Sequence, residues 1–400
     1  MISVGIDVSK GSSMVCILKP YGEVVKKPFK LKHTIGDLSE LVKEINNLDE
    51  EVRVILEATG IYHIPILTFL QKENIFVSVI NPMLMKKYAT VSIRKGKTDK
   101  MDALKIAKFG LDYWLDLIEY HVDNDSYYEL RYLSRQYFQF MELRIKQKVM
   151  LSNYLEQTMP GLDTILVSNS VDFTRDKAID FACKYQHYDK IVKMGEKRFI
   201  SSYMKWTKKE GYQFNEQKAQ QLFQHAQNSI PSLPSSINSF HTIFLEMAKG
   251  IQTTGATLNI ILARMQELAK SLPEYSIVRS MPGVGDKLAP RLIAEIGDIR
   301  KYYSGKALVA YAGIDAPPFE SGQFIAEQRH ISKRGSRYLR KVGFEAMKCI
   351  KCREPNTDRA VYDFIIKKER QGKAKKQAMI AGLNKFLRIY YARVNNLINT

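Results

Sequence analysis

The sequence predicts a protein of the α/β plus α class, with an N-terminal mixed-sheet domain followed by a mostly helical remainder. Up to about residue 120, apolar segments with a period of two alternate with amphipathic helical segments. Beyond that point, two long stretches carry apolar residues at helical spacing, and basic residues accumulate near the end of the chain. A chain of 400 residues is long enough to fill roughly two or three hydrophobic cores.

The elements of the first domain, residues 1–120, can be predicted in order. Each predicted strand is a short apolar or alternating segment, and each predicted helix carries apolar residues three and four positions apart. The predicted order is a strand over Ile2–Asp7, strands over Val15–Leu18 and Val24–Leu31, a helix over Leu38–Ile45, a strand over Val52–Glu57, a helix over Ile64–Leu70 and a strand over Ile75–Ile80.

Four carboxylates stand where a ribonuclease H-like fold places metal ligands. Asp7 and Glu57 end two apolar strands, and Asp99 and Asp102 share one face at the start of a helical segment. Such acids would repel one another unless divalent cations neutralised them, so Mg²⁺ or Mn²⁺ is the expected cofactor. The alternative is that each acid has only a structural role. Asp99 would then be an N-cap, Asp102 would interact with the helix dipole, and Asp7 and Glu57 would be exposed strand ends.

Residues 121–270 are predicted to be helical. Two long amphipathic patterns, at about Asp123–Met159 and Ile237–Leu272, suggest an antiparallel coiled-coil arm, although Gly250 and Gly255 interrupt the second one. The segment between them, residues 161–234, reads as a helical insert to which the sequence assigns no chemistry.

Residues 271–400 are predicted to form a third, mostly helical domain. Pro282-Gly283-Val-Gly285 ahead of an amphipathic segment predicts a helix-hairpin-helix element, whose glycines would let backbone N–H groups approach a phosphate. A bend used only for packing is the alternative. Further on, Ser321-Gly322 precedes a dense run of cations, which is the combination that a serine attacking a backbone phosphate requires.

The charge balance points to a polyanionic partner. Lys and Arg exceed Asp and Glu by 19, and the last eighty residues contain 19 basic against 6 acidic side chains. The predicted nucleic-acid contacts are Lys10, Lys97, Gly283, Gly285, Lys333, Arg334, Arg337 and Arg340. With no apolar run of membrane-spanning length and no signal peptide, the protein is expected to be soluble and cytoplasmic. Cys349 and Cys352 have zinc-knuckle spacing without a second pair, so buried helix cysteines are the favoured interpretation.

An ordered set of motifs at both ends of the chain, at about residues 1–120 and 270–350, resembles one family. It is similar to the DEDD transposases of the IS110 (IS-one-ten) insertion-sequence family and to the Piv-type DNA invertases. The motifs are Gly5-Ile-Asp7-Val-Ser-Lys10, Glu57-Ala-Thr-Gly60, Lys97-Thr-Asp99-Lys-Met-Asp102-Ala, Pro282-Gly-Val-Gly285, Ser321-Gly322 and Ser332-Lys-Arg-Gly335-Ser-Arg-Tyr-Leu-Arg340.

The resemblance implies a recombinase with a RuvC-like N-terminal domain and a C-terminal transposase domain. Asp7, Glu57, Asp99 and Asp102 would match the DEDD acids, and Ser321 the nucleophilic serine. A structured bridge RNA would guide the enzyme to donor and target DNA, and the chain would work as a homo-oligomer, from dimer to tetramer.

Because of one departure from the family pattern, more than one serine is a candidate for the nucleophile. The lead Asp315-Ala-Pro-Pro-Phe-Glu320 lacks the expected serines, so Ser332, Ser336 and Ser304 remain candidates. Three functions are therefore weighed: an RNA-guided recombinase, a metal-dependent structure-specific endonuclease of the Holliday-junction type or a DNA invertase, and a non-catalytic nucleic-acid-binding protein.

Overall fold

The structure is a computed structural model of the chain. It describes residues 1–58, 60–89, 98–120, 125–167, 170–316, 320–321, 324–325 and 330–399. The chain divides into two compact units, Met1–Val122 and Asp123–Thr400.

The first unit is an α/β domain with a five-stranded sheet. Its strands are β1 (Ile2–Val8), β2 (Ser12–Leu18), β3 (Val24–Lys32), β4 (Val52–Glu57) and β5 (Val77–Ile80). Its helices are α1 (Ile35–Asn46), α2 (Ile64–Lys72), α3 (Pro82–Ala89) and α4 (Asp99–Asp112), with 3-10 turns at Pro20–Gly22 and Trp114–Asp116. The predicted alternation of strands and helices is confirmed.

The sheet is mixed, with the strand order β3-β2-β1-β4-β5. The hairpin-connected strands β1, β2 and β3 are antiparallel, whereas β4 and β5 continue parallel to β1. The central strand β1 therefore has an antiparallel neighbour on one side and a parallel neighbour on the other. This arrangement puts the carboxyl ends of β1, β4 and β5 at the same edge.

The two faces of the sheet are covered by different helices because side chains alternate along each strand. Helices α1 and α2 share an apolar core with residues such as Val4, Ile6 and Leu56. On the opposite face, α4 packs its Ile106 against Ile55 of β4.

The described part of the second unit is helical apart from one short hairpin. Its helices are α5 (Asp125–Thr158), α6 (Leu162–Ile165), α7 (Lys177–Tyr185), α8 (Tyr188–Met194), α9 (Glu196–Glu210), α10 (Glu216–Asn228), α11 (Asn238–Lys270), α12 (Tyr275–Ser280), α13 (Ala289–Ile296), α14 (Gly305–Tyr311), α15 (Arg337–Arg353), α16 (Ala360–Arg370) and α17 (Lys375–Asn399). A 3-10 turn spans Ile299–Lys301, and the hairpin strands are β6 (Glu320–Ser321) and β7 (Phe324–Ile325).

The long helices α5 and α11 pack side by side in opposite directions. Near the start of α5, Glu129 pairs with Arg264 at 3.0 Å, and further along, Arg144 donates to the Ile251 carbonyl at 3.0 Å. Helix α11 runs unbroken through Gly255, where an added Cβ would lie only 2.3 Å from the Phe173 carbonyl oxygen. Gly255, which was predicted to interrupt the helix, instead makes room for the crossing segment.

Two separate hydrophobic cores form along this helix pair. One joins the end of α5 and the start of α11 to the helical insert, through side chains such as Leu155, Phe181 and Phe244. The other joins the opposite ends of both helices to α12–α17. Within the described residues, no helix is long and apolar enough to cross a membrane.

Candidate active site

The first candidate site lies at the carboxyl ends of β1 and β4. These parallel neighbours pair Gly5 with Ile55 and Ile6 with Leu56, so Asp7 and Glu57 come at the same level one residue later. Both side chains are partly buried. The two predicted acids of the sheet are therefore neighbours across adjacent strands.

Asp7 and Glu57 face the side of the sheet that α4 covers. Gly5, two residues before Asp7, lies so close to α4 that an added Cβ would be 2.2 Å from the backbone nitrogen of Ala107. Similarly, a Cβ on Gly110 would be 2.4 Å from Cδ1 of Ile55, which stands two residues before Glu57. Since residues two apart point to the same face, both acids share the α4 side.

The first turn of α4 carries the other two predicted acids. The helix runs antiparallel to β1, because Gly110 adjoins Ser3 whereas Ala103 and Ala107 adjoin Gly5. Its N-terminal turn, with Asp99 and Asp102, therefore continues toward the sheet edge where β1 and β4 end. The four acids therefore lie in elements that meet around this edge of the first unit.

The N-cap of α4 is Thr98, whose hydroxyl accepts a hydrogen bond from the Met101 backbone at 3.3 Å. The alternative in which Asp99 serves as the cap is therefore wrong. Asp99 is exposed, and Asp102 pairs with Lys105 at 3.1 Å. Neither acid is needed to cap the helix, although both are favourably placed near its positive end.

The donor chemistry at this edge fits a hard divalent cation, since carboxylate oxygens are the ligands that Mg²⁺ prefers. Among the described residues, however, no group of three or more His, Cys, Asp or Glu side chains is assembled closely enough to hold a metal ion. The fold places the four acids around the same sheet edge, but in the described structure their side chains are not close enough together to bind one metal ion. Cys349 and Cys352 lie on α15, as the favoured interpretation predicted, and Cys349 is partly buried. The predicted burial is wrong for Cys352, which is exposed because it lies on the other side of the helix from the buried Ile350.

The second candidate site is the β6–β7 hairpin, which carries Ser321. Glu320 pairs with Ile325 and Ser321 pairs with Phe324 in an antiparallel ladder. Gly322, which completes the predicted Ser-Gly motif, lies outside the described residues.

The segments that lead into and out of this hairpin are joined at its base. Ser332 donates a hydrogen bond through its hydroxyl to Asp315 at 2.5 Å, and its backbone nitrogen donates to the Asp315 carbonyl at 2.8 Å. Next to them, the chain passes so close that a Cβ on Gly335 would lie 2.0 Å from the Tyr311 carbonyl oxygen. Arg340 fastens the same place by donating to the carbonyls of Ala312 and Gly335 at 2.9 and 3.0 Å. We call this arrangement the hairpin base.

The other candidate serines already serve local structure. Ser304 caps α14 by accepting from Ala307 at 3.2 Å, and Ser336 caps α15 by accepting from Leu339 at 3.1 Å. Ser332 belongs to the hairpin base.

The Pro282–Gly285 turn joins α12 to α13, and its two glycines have different surroundings. Gly283 adopts a φ of +73°, and an added Cβ would lie 2.4 Å from Ile350 Cγ1. This glycine is therefore required for packing against α15. Gly285 faces open space, beside an exposed Asp286 that pairs with Arg279 at 2.5 Å.

The basic residues predicted to contact nucleic acid lie in three settings. Lys10 is exposed just after β1, whereas Lys97 falls outside the described residues. Lys333, Arg334 and Arg337 are exposed between the hairpin base and the first turn of α15. Arg340 differs from these three, because its Nη1 already donates a hydrogen bond to the Ala312 carbonyl in the hairpin base.

A buried carboxylate that was not predicted from the sequence lies behind the hairpin base. Glu295 of α13 is 0% exposed and accepts two hydrogen bonds from Arg135, at 3.1 Å each, and one from Ser134 at 3.0 Å. Ser336 reaches the same carboxylate at 3.5 Å. The available signal was a charged pair, Arg291 and Glu295, at i and i+4 in an otherwise apolar helix.

Comparison with protein families places the chain in a family of transposases. Residues 4–160 match the DEDD transposase model of IS110, and residues 275–363 match the transposase model of the IS116/IS110/IS902 family. Together these matches cover more than half of the chain, which belongs to the IS110 family of transposases.

Individual relatives have low sequence identity to this chain, but the similarity extends over most of its length. The pilin gene-inverting protein of Moraxella bovis is 25% identical over 346 residues, which cover 85% of this chain and 79% of that protein. A 44.8 kDa protein of insertion element IS116 from Streptomyces clavuligerus is 22% identical over 383 residues, or 95% and 91% of the two chains. Among solved structures, Thermus thermophilus RuvC matches 28% of this chain and 95% of its own, at 13% identity and a TM-score of 0.23.

Proposed function

We propose that this transposase cleaves and exchanges DNA strands under the guidance of a structured RNA, through a covalent serine–phosphate intermediate. The observation that carries the proposal is the meeting of Asp7, Glu57 and the first turn of α4 at one sheet edge in a chain of the transposase family. Divalent cations would draw these carboxylates together at the sheet edge and neutralise their charge.

The carboxylates of Asp7, Glu57, Asp99 and Asp102 would hold Mg²⁺ or Mn²⁺. When bound, such ions polarise a scissile phosphate and neutralise charge on the attacking and leaving oxygens. Asp102 forms a salt bridge with Lys105 at 3.1 Å, so a metal ion bound at this acid would compete with the Lys105 ammonium group.

Ser321 would supply the nucleophile. Its Oγ loses a proton to solvent or a nearby base and forms a bond to phosphorus, while the bond from phosphorus to the 3′ oxygen breaks. The released 3′ oxygen takes up a proton, and the DNA remains attached as a phosphoserine ester. A 3′ hydroxyl of another strand then reverses the step and joins the strands without ATP, since the phosphodiester energy is retained.

Donor DNA, target DNA and a guide RNA are the proposed partners, and a dimer or tetramer the proposed working form. An excess of 19 basic residues supports polyanion binding. Lys10, Lys97, Gly283, Gly285, Lys333, Arg334, Arg337 and Arg340 are the proposed contacts. Sequence choice would then belong mainly to base pairing with the RNA.

Site-specific DNA inversion is a second candidate function, favoured by the similarity to the pilin gene-inverting protein along 85% of the chain. Inversion and transposition use the same strand exchange, so the catalytic proposal serves both. A metal-dependent endonuclease differs, because water would attack and Ser321 would be inert.

The decisive experiment looks for the covalent intermediate. The full-length protein is incubated in Mg²⁺ with DNA that flanks its gene and with transcripts of that DNA, then resolved on denaturing gels. We expect a protein–DNA adduct with the wild type, none with Ser321→Ala, and partial retention with Ser321→Cys. Normal cleavage by Ser321→Ala with no adduct from any variant would establish the endonuclease instead. An adduct that maps to Ser304, Ser332 or Ser336 would keep the mechanism and overturn the residue.

The acids are tested in the same assay. Asp7→Ala and Glu57→Ala should abolish cleavage while RNA binding stays close to the wild type, because the carboxylates serve the chemistry and do not grip the backbone. Glu40→Ala, which removes an exposed acid of α1 in the same unit, is the matched control. Full activity in either site variant would contradict the role of the acids.

A further inference from the structure

The helical insert carries a concave surface of about 840 Å³, lined mainly by α7 and α9. Five basic side chains surround it: Lys184, Lys197, Arg198, Lys205 and Lys209. All five are exposed. We call this surface the insert groove.

Most of these cations form a row because of the helical repeat. Lys197, Ser201, Lys205 and Lys209 are four residues apart on one face of α9. At a rise of about 1.5 Å per residue, the row is roughly 18 Å long. An extended ligand with several regularly spaced negative charges matches such a row, whereas a compact anion would engage only one end.

The opposite face of α9 is anchored in an aromatic core. Phe199 and Tyr203 are fully buried, and Trp206 is 6% exposed at the edge of the groove. The Trp206 ring packs against Phe181 of α7, with centroids 5.7 Å apart. The helix that carries the cations is therefore held in place by its buried face, and on binding only the exposed basic side chains need to become ordered.

The groove keeps its positive charge within the part of the chain that the structure describes. Among the residues that the structure describes, none of the five forms an ion pair, although Lys148 nearby on α5 pairs with Asp176 at 2.6 Å. The groove contains two acids, Asp180 and Glu210. Asp180 accepts a hydrogen bond from Tyr212 at 2.5 Å, and burial raises the pKa of its carboxyl. The remaining charge is strongly positive, which favours an external polyanion over a solvated helix face.

We propose that the insert groove binds the sugar–phosphate backbone of a nucleic acid. Three features select this ligand class: a row of cations along α9, serine hydroxyls between them, and an open concave shape. This inference rests on the proposed function in one respect: the polyanion is taken to be a nucleic acid because the proposed function requires DNA and RNA. It assigns a role to residues 161–234, for which the sequence indicated none.

Binding of the full-length chain is measured across a salt series with two labelled probes, a mixed-sequence DNA duplex and a single-stranded RNA of equal length. The test variant is Lys197→Gln/Lys205→Gln/Lys209→Gln. Its matched control, Lys190→Gln/Lys193→Gln/Lys208→Gln, removes the same charge from exposed lysines of the same insert that do not line the groove. We expect the test variant to flatten the log–log salt slope by about 3 for duplex or about 2 for a single strand. The control should keep the wild-type slope.

Amine-reactive footprinting of the wild type gives a second readout that does not depend on variant folding. The bound probe should protect Lys197, Lys205 and Lys209 more than Lys193 and Lys208. A changed slope with only one probe identifies RNA or DNA as the ligand. Unchanged slopes and no protection with either probe would overturn the groove assignment, and normal adduct formation in the same preparation would show that the proposed catalysis stands.

Discussion

Buried charged residues in the second unit differ in how well they are paired. Glu295 is enclosed by Arg135 and Ser134, so its buried charge has a partner. Glu274 is 1% exposed and receives one hydrogen bond, from the Tyr127 hydroxyl at 2.8 Å, while its Oε2 is buried without a hydrogen-bond partner in the described structure. Burial raises the pKa of the Glu274 carboxyl above its ordinary value of 4.5.

This raised pKa predicts a pH effect with a definite sign. The folded state holds the Glu274 proton at pH values where the unfolded chain has released it, so the stability contributed by the protonated carboxyl is complete below the ordinary pKa and falls as pH rises toward the folded pKa. Glu274→Gln cannot ionise. We therefore expect its free energy of unfolding in urea to increase relative to that of the wild type as the pH rises above the ordinary carboxyl pKa.

Glu267→Gln is the control for this titration. Glu267 is 71% exposed, and its pair with Arg264 lies in solvent, so its substitution should show no comparable trend. A trend of the same size in both variants, or one of opposite sign in Glu274→Gln, would show that Glu274 does not cause it.

Close packing of α4 on β1 determines where the acids stand. Gly5 and Gly110 remove the side chains that would otherwise hold the helix away from the sheet. Similarly, the β6 and β7 strands are two residues long, too short to be stable alone, so the hairpin base holds the Ser321 segment. In both candidate sites, a close contact between backbone segments positions a reactive residue.

Gly5→Ala tests the helix–sheet contact. The new Cβ would fall 2.2 Å from the Ala107 nitrogen and 2.5 Å from the Ala103 carbonyl oxygen, and backbone atoms cannot move aside as a flexible side chain can. We expect a loss of about 1–3 kcal/mol in the free energy of unfolding. Strand cleavage should fall as well, because α4 must shift away from Asp7 and Glu57.

Gly36→Ala is the matched control, since its added Cβ meets nothing within 4 Å and its position lies in the first turn of α1. This variant should be as stable as the wild type or slightly more stable, because alanine favours helix. Equal stability of Gly5→Ala and Gly36→Ala would refute the close-contact interpretation.

The whole molecule is basic, and its charge is concentrated in the last fifth of the chain. Neutralising Lys333, Arg334 and Arg337 to Gln together should weaken nucleic-acid binding and flatten its log–log salt slope by about 2 to 3, since each phosphate contact releases counterions.

The control for this effect is the triple Gln variant of Lys373, Lys375 and Lys376, which are exposed near the start of α17. It removes the same net charge, so a difference between the two variants reports local contact, whereas an equal change in slope reports only the long-range field. Fluorescence anisotropy with duplex DNA over a salt series measures both variants. If both variants have the same salt slope, Lys333, Arg334 and Arg337 make no local contact with the DNA.

Local patterns in the sequence were sufficient for much of the first unit. Alternation predicted its five strands, and an acid at the end of an apolar run marked Asp7 and Glu57. These features depend on neighbours within a few residues, so a single stretch of chain contains the signal. The motifs at both ends also predicted the transposase family.

Only the tertiary structure decided the contacts between distant segments. Glu295 meets Arg135 across 160 residues, and Asp315 meets Ser332 across an intervening hairpin. The insert groove likewise needs α7 beside α9 before its cations face one space. Periodicity shows which face of a helix is polar, but the path of the chain determines what that face meets, because burial and pairing energies depend on three-dimensional neighbours.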